Sequence, residues 1–274
     1  MTASMEQALL IRAIEASLEA GNAILEIYKR AFDVYYKEDA SPLTEADLAS
    51  NATILSYLEP TGIPVISEET KQLDYSIRQT WSRCWIVDPL DGTKEFVKRR
   101  NEFTVNIALV EAGVPLFGVI YAPALQTLYY TNASKTQAYK LMITDSMTLK
   151  DELFQTQSRI YPSSPSNEVV TLVASRSHLN DDTIDFISTL KAQYHVVDTI
   201  SKGSSLKFCL VAEGEAHLYP RFAPTMEWDT AAGQAICEAV GLDVLDISTQ
   251  ASMLYNKETL LNPYFLVTKK THTL

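Results

Sequence analysis

The chain has 274 residues, 46% of them hydrophobic, enough for one large core or for two halves that share an interface. A formal net charge of −11 excludes non-specific nucleic-acid binding, which needs a basic face; a small anionic substrate stays compatible, because bound cations invert the local field. Three cysteines, Cys84, Cys209 and Cys237, are an odd number in apolar contexts, which argues for a reducing cytoplasm, and no segment approaches the roughly 20 apolar residues that span a bilayer.

Residues 5–30 carry an apolar stripe, Leu9, Ile14, Leu18 and Ile24 through Tyr28, near helical spacing. A second helix starts near Thr44, with Leu48, Ala52, Leu55 and Leu58 on one face. Residues 63–67 read as a short strand ending in Glu68-Glu69, and residues 83–87 as another ending at Asp88. Residues 103–110 alternate and precede Glu111-Ala112-Gly113, so residues 115–121 return as a hairpin partner, and residues 126–130 add one more strand. Residues 144–167 contain Tyr161-Pro162-Ser163-Ser164-Pro165-Ser166, which suits a polar connector. Beyond it, strands at 169–174 and 194–198 alternate with helices at 181–191 and from 204 onward; a further strand ends at Tyr219 and a helix begins near Asp229. The expected class is α/β, with an α+β N-terminal domain over residues 1–150 and an α/β C-terminal domain over residues 151–274.

The densest chemistry lies in Asp88-Pro89-Leu90-Asp91-Gly92-Thr93-Lys94-Glu95, directly after the apolar run Trp85-Ile86-Val87. Two carboxylates three residues apart on a stiff turn can share a hard cation. Pro89 fixes its own φ and pushes Asp88 toward an extended conformation. Gly92 lets the backbone come close to a ligand, and Thr93 stands where a helix could begin, with free N–H groups for an anion. The string therefore reads as a divalent-metal site beside a phosphate site. Glu68 ends a strand as Asp88 does, and reads either as a second acid in that cleft or as part of a solvated turn. Thr44-Glu45-Ala46-Asp47 has capping-box spacing and also presents an acid on the first turn of a helix. Asp229 in Trp228-Asp229-Thr230-Ala231-Ala232-Gly233 is an N-cap or first-turn acid of a helix, stabilised by the helix dipole. Four or five acids in one cleft repel one another; Mg²⁺ or Mn²⁺, which take oxygen ligands, offset that repulsion. Two such ions about 3.5–4 Å apart suit the hydrolysis of a phosphate ester. No Gly-x-x-x-x-Gly-Lys-[Ser/Thr] loop is present, so a nucleoside triphosphatase is not indicated.

Together, Ser67-Glu68-Glu69, the stretch Trp85 through Thr93, and Trp228 through Gly233 resemble the inositol monophosphatase superfamily of metal-dependent, lithium-sensitive phosphatases over nearly the whole chain. Further stretches resemble its bacterial 3′(2′),5′-bisphosphate nucleotidase branch, the CysQ type: Ser41 through Asp47, Lys94-Glu95-Phe96 (where inositol phosphatases usually carry Thr-Asn-Phe), Glu102 through Asn106, Ser175-Arg176-Ser177-His178, Gly203 through Cys209, and Leu218 through Phe222. Glu45 departs from the usual Ala, and residues 144–167 fit the pattern poorly.

The resemblance implies a layered α-β-α-β-α fold of the sugar-phosphatase kind, with the site between two domains: most metal ligands on the first, substrate-binding residues and the last metal ligand on the second. It implies Mg²⁺-dependent removal of the 3′-phosphate of adenosine 3′,5′-bisphosphate, giving AMP and phosphate, as disposal of a sulfate-assimilation by-product. By the same resemblance Glu68, Asp88 and the Leu90 carbonyl hold one Mg²⁺; Asp88, Asp91 and Asp229 hold a second; and Glu68 helps hold a weaker third. Asp47 and Thr93 form a relay that takes a proton from the attacking water, and Gly92 and Thr93 bind the scissile phosphate. Lys94, His178, Ser204, Lys207, Arg221 and Asp229 form the rest of the substrate site, although His178 also reads as a helix-start residue and Lys207 as a solvated helix position. The resemblance adds peripheral association with the inner face of the cytoplasmic membrane as a second location beside the cytoplasm, although no amphipathic basic helix in the sequence supports it. Competing functions are an inositol-phosphate or sugar-bisphosphate phosphatase, and a regulator that binds nucleotide or metal without turnover.

Overall fold

The computed structural model describes residues 3–37, 41–144, 147–166, 168–174 and 180–269. Helix α1 (Ala3–Tyr28) buries Leu10, Ala13, Ile14, Ser17, Gly21 and Ile24, a stripe at three- and four-residue spacing. A short antiparallel hairpin, β1 (Val34–Tyr36) and β2 (Pro42–Thr44), leads into α2 (Glu45–Leu58). Thr44 caps α2: its Oγ1 accepts from the Ala46 N–H, and its own N–H donates to Asp47 Oδ2 at 2.7 Å. Glu45 is held by two hydrogen bonds from Arg30, each 2.7 Å.

A six-stranded sheet follows. Its strands are β3 (Val65–Ser67), β4 (Arg83–Asp91), β5 (Thr104–Glu111), β6 (Val114–Ala122), β7 (Thr127–Thr131) and β8 (Ala138–Met142), side by side in that order. Only β3 and β4 run parallel. Short helices α3 (Tyr75–Arg78) and α4 (Thr93–Val97) flank β4, and α5 (Leu149–Glu152) follows β8. β4 is apolar on both faces because both are covered. Trp85 and Val87 pack toward α1 and α2 with Ile14, Ile24 and Ile54, while Cys84 and Ile86 pack in the opposite core.

The remaining elements are β9 (Val169–Ala174), α6 (Asp181–Lys191), β10 (Val196–Ser201), α7 (Leu206–Ala212), β11 (Tyr219–Arg221), α8 (Glu227–Ala239), β12 (Leu242–Asp246) and β13 (Phe265–Lys269). β9 and β10 pair in parallel; β13 lies antiparallel between β11 and β12. A parallel bridge between Leu172 and Leu218 joins the two groups into one five-stranded layer. α7 and α8 lie between the two sheets, burying Phe208, Ala231, Ala232 and Ile236 against Ile86, Ala108 and Ile120 on one side and Val244 and Phe265 on the other. α6 covers the outer face through Leu190, packed on Val170 and Leu172. The order of layers is thus α-β-α-β-α, as expected from the resemblance. At Gly118 in β6 the sheet almost touches the backbone of α8: a Cβ there would fall 2.5 Å from the Ala232 carbonyl oxygen. Among the described residues no helix is long and apolar enough to cross a membrane.

The expected elements recur with shifts. The strand expected to end at Tyr219 begins there, because the residues before it lead in from α7 and only Leu218 bridges to β9. β4 runs on past Asp88 to Asp91, its ladder with β5 interrupted between those two residues, where Pro89 supplies no N–H. β1, β2, β8, β12 and β13 were not anticipated.

Candidate functional site

The interruption in β4 builds the acidic half of a cleft. Asp88 is 1% exposed, and its Oδ1 accepts the Leu90 N–H at 3.0 Å, closing a tight turn over Pro89. Asp91, three residues on, accepts from the Ser205 N–H and from Asn106 Nδ2 at 3.5 Å. Asp229 enters from the first turn of α8, where its Oδ2 takes the Met226 N–H at 2.8 Å. The three residues each offer a carboxylate oxygen, and these oxygens lie within 4.8 Å of one another. Glu68 follows β3; its N–H donates to the Val87 carbonyl, which sets it beside Asp88 at the wall of the same cavity of about 400 Å³. Lys37, beside the β1–β2 hairpin, bridges Glu68 Oε1 at 2.8 Å and Glu69 Oε1 at 2.6 Å.

Burial and mutual repulsion act together on these acids. Burial raises Asp88 well above the ordinary carboxylate range, and Glu68, Asp91 and Asp229 add to the shift. Burial pushes Asp91 up to about 6, opposed by Lys207 and by the Ser205 N–H. Asp229 rises to about 7 through burial and the charge of Asp91. Oxygen-only donors, buried at Asp88 and half-buried at Asp91 and Asp229, that resist carrying their charges alone match a hard divalent cation, which removes both the repulsion and the desolvation cost.

Behind the cluster lies the Asp47–Thr93 pair. Asp47 is 1% exposed. Its Oδ2 is taken by the Thr44 N–H and hydroxyl, each at 2.7 Å, so its Oδ1 is left to receive the Thr93 hydroxyl at 3.0 Å. Burial raises the Asp47 carboxyl despite these hydrogen bonds. The Leu90 carbonyl accepts a longer bond from the same hydroxyl, 3.3 Å. Gly92, at φ 92°, begins α4, and Gly92, Thr93, Lys94 and Glu95 line the cavity wall.

A second cavity of about 150 Å³ adjoins the first, sharing Asp91, Gly92, Lys94 and Asp229. Its walls carry four cationic residues, Lys94, Lys202, Lys207 and Arg221. Lys207 is 6% exposed and donates to the carbonyl oxygens of Ser204 and Lys202. Its ammonium lies 5.6 Å from the centre of the Tyr219 ring. Burial lowers it to about 8, opposed by the charge of Asp91. Among the described residues Ser204 Oγ and Arg221 Nε are buried without a hydrogen-bond partner, and both residues line this cavity. His178 lies outside the described residues.

Residues 5–274 match the Inositol monophosphatase family. The chain belongs to the inositol monophosphatase family. Within it, the chain is 42% identical over 264 residues to the 3′(2′),5′-bisphosphate nucleotidase CysQ of Salmonella typhimurium, covering 95% of this chain and 99% of that one. The crystal structure of CysQ from Bacteroides thetaiotaomicron, a bacterial member of the family, superposes with a TM-score of 0.86 at 47% identity, covering 97% of this chain and 98% of the other. An inositol monophosphatase from Anabaena shares the fold, with a TM-score of 0.69 at 23% identity over 97% of this chain and 91% of that one.

Sequence reasoning missed several groups in this family member's cleft. Lys37, Asn106 and Ser205 each contact an expected metal ligand, and Glu102 and Lys202 line the basic cavity. Asn106 and Ser205 sit inside the stretches that carry the resemblance, so their position was marked though their contacts were not. Lys37 had no such signal, since a lone lysine in a polar stretch reads as solvated.

Proposed function

We propose that this chain is a Mg²⁺-dependent 3′(2′),5′-bisphosphate nucleotidase that removes the 3′-phosphate of adenosine 3′,5′-bisphosphate. The observation that carries this reading is the junction of two cavities at Asp91 and Asp229, one dominated by carboxylates and the other adding Lys202, Lys207 and Arg221 beside Glu95, Glu102 and the shared acids. A substrate with a single phosphate needs only the first; a second phosphate accounts for Lys94, Lys207 and Arg221 in the other. The relatives named as nucleotidases over nearly the full chain support the same substrate class.

Asp88, Asp91 and Asp229, with Glu68 and the Leu90 carbonyl, would hold two to three ions, Mg²⁺ or Mn²⁺. Bound there, such ions acidify a water and neutralise phosphate charge. The chain's own contribution is orientation. Asp47, with its Oδ2 saturated by Thr44, directs the Thr93 hydroxyl through the 3.0 Å bond to Oδ1, leaving the Thr93 oxygen lone pairs to accept a proton from the attacking water. The first turn of α4, from Gly92, cradles the scissile phosphate, and Lys207 and Arg221 grip the 5′-phosphate. Positioning and charge complementarity suffice, because phosphoryl transfer asks little covalent help. The six-stranded sheet is built wholly from residues before 150 and the five-stranded layer wholly from residues after it, which supports two units, 1–150 and 151–274, meeting at the cleft.

Phosphate release from adenosine 3′,5′-bisphosphate and from inositol 1-phosphate, with and without Mg²⁺, tests this. Mg²⁺-dependent release from the nucleotide is expected to exceed release from inositol 1-phosphate; the reverse order reassigns the basic cavity, and no release from either supports a binding-only regulator.

A further inference from the structure

Residues 202–205, between β10 and α7, are anchored at two separate points. At one end Ser205 is 2% exposed; its N–H donates to Asp91, and its hydroxyl lies 2.8 Å from Thr104 Oγ1 and 2.7 Å from Asn106 Oδ1, both on β5. At the other end Glu102 Oε2 accepts the Gly203 N–H at 3.0 Å, and Glu102 Oε1 lies 3.5 Å from Lys202 Nζ. Packing is tight at 203: a Cβ would press on the Glu102 carbonyl oxygen and Glu95 Cγ, each at 3.0 Å. Between the anchors Ser204 has φ 50°, a left-handed conformation that a residue with a Cβ adopts when its surroundings enforce it. That turn aims the carbonyls of Lys202 and Ser204 at Lys207 Nζ and leaves Ser204 Oγ buried at the wall of the basic cavity.

A carboxylate at the edge of an anion pocket repels the anion. Glu102 therefore weakens binding through its charge and strengthens it only through what it holds in place. The two contributions have opposite signs and can be separated.

We propose that Glu102 is a positioning residue for the nucleotide half of the cleft. By holding Gly203 and Lys202 it sets the placement of Ser204 and Lys207, and with it the affinity for the phosphate that is not cleaved. The metal half is anchored independently through Ser205. The proposal rests on the nucleotidase reading above.

The test is calorimetric titration of AMP, which keeps the 5′-phosphate and is not turned over, into wild type, Glu102→Ala and Glu102→Gln, beside inorganic phosphate with Mg²⁺. Glu102→Ala is expected to weaken AMP binding about tenfold, and to raise KM rather than lower kcat for the bisphosphate. Glu102→Gln, which keeps an acceptor for the Gly203 N–H and loses the charge, is expected to bind AMP at least as tightly as wild type. Inorganic phosphate binding and the Mg²⁺-induced rise in Tm are expected to stay unchanged in both. Unchanged or tighter AMP binding by Glu102→Ala overturns the proposal, as does parallel loss of AMP and inorganic phosphate, which marks general damage. So does a Glu102→Gln as weak as Glu102→Ala, because the acceptor kept for the Gly203 N–H then contributes nothing to AMP binding. A wild-type protein that binds phosphate and Mg²⁺ but no AMP ends the nucleotidase reading itself, a failure visible without any variant.

Discussion

The two halves of the cleft are built differently. The acidic half takes its carboxylates from the ends of regular elements: Asp47 from the first turn of α2, Asp88 and Asp91 from β4, and Asp229 from the first turn of α8. Each is fixed by a backbone N–H close to it in sequence or by a neighbouring strand. The basic half takes its groups from Lys94 on α4, from residues 202–207 and from β11, and holds Lys207 through carbonyl oxygens rather than carboxylates. Metal ligands tolerate little displacement and suit rigid anchors, whereas a flexible ammonium can follow its anion. A lysine satisfied by neutral carbonyls also keeps its charge available for the ligand.

Substitutions that strike one half alone test this division. Asp88→Asn removes a shared carboxylate from the acidic half; kcat/KM is expected to fall about 10³-fold while AMP binding persists, and parallel loss of AMP binding breaks the division. Thr93→Ala and Asp47→Asn each remove one member of the proposed relay, and kcat is expected to fall about 10²-fold or more with little change in KM. Steady-state kinetics at saturating Mg²⁺ checks both. Lys207→Ala is the complementary change: KM for the bisphosphate is expected to rise about tenfold or more, with hydrolysis of a simple aryl phosphate unaffected. An equal loss on the aryl phosphate would show that Lys207 serves the metal half through Asp91.

The smallest effect is on stability without metal. Asp91 and Asp229 titrate near 6 and 7 in the fold, against about 4 in the unfolded chain. Folded acids with raised pKa values keep protons that the unfolded chain has released. Metal-free stability is therefore expected to fall as pH rises from about 4 through 7, by roughly 1–3 kcal/mol. Mg²⁺ or Asp229→Asn should restore it. Thermal melts at pH 5 and 7.5 in chelator, for wild type and variant, read this directly; identical pH dependence in the two would remove Asp229 as the source.

The same contrast explains what was legible from the sequence. Asp88 through Thr93 could be read as a site because its chemistry is local: two acids, a proline and a glycine act within one turn. Asp47 and Asp229 carry capping patterns, so their helix starts were placed close to where they fall; each carboxylate takes a backbone N–H at its helix start, Asp229 also lines the cleft, and Asp47 meets it only through the Thr93 hydroxyl. The junction of the two cavities was not legible, because it depends on residues more than a hundred positions apart, such as the Ser205 N–H on Asp91. Among the strands, β1 and β2 are three residues each and partly exposed, too short for periodicity to show. β8 is short, and β13 is a brief apolar run whose partners, β11 and β12, are distant or themselves short. The strand misplaced at Tyr219 shows the same limit, since its boundary is set by pairing with β13.

Gly118 lies in the middle of a strand and touches no proposed ligand, yet it sets how deeply α8 seats on the sheet. Asp229 rides on the first turn of that helix. A single methyl group at position 118 would act as a shim beneath a rigid rod, lifting its first turns and spreading the carboxylate trio without altering any of its members. Inactivating changes in this enzyme need not cluster around its chemistry; some should map to the floor on which the chemistry stands.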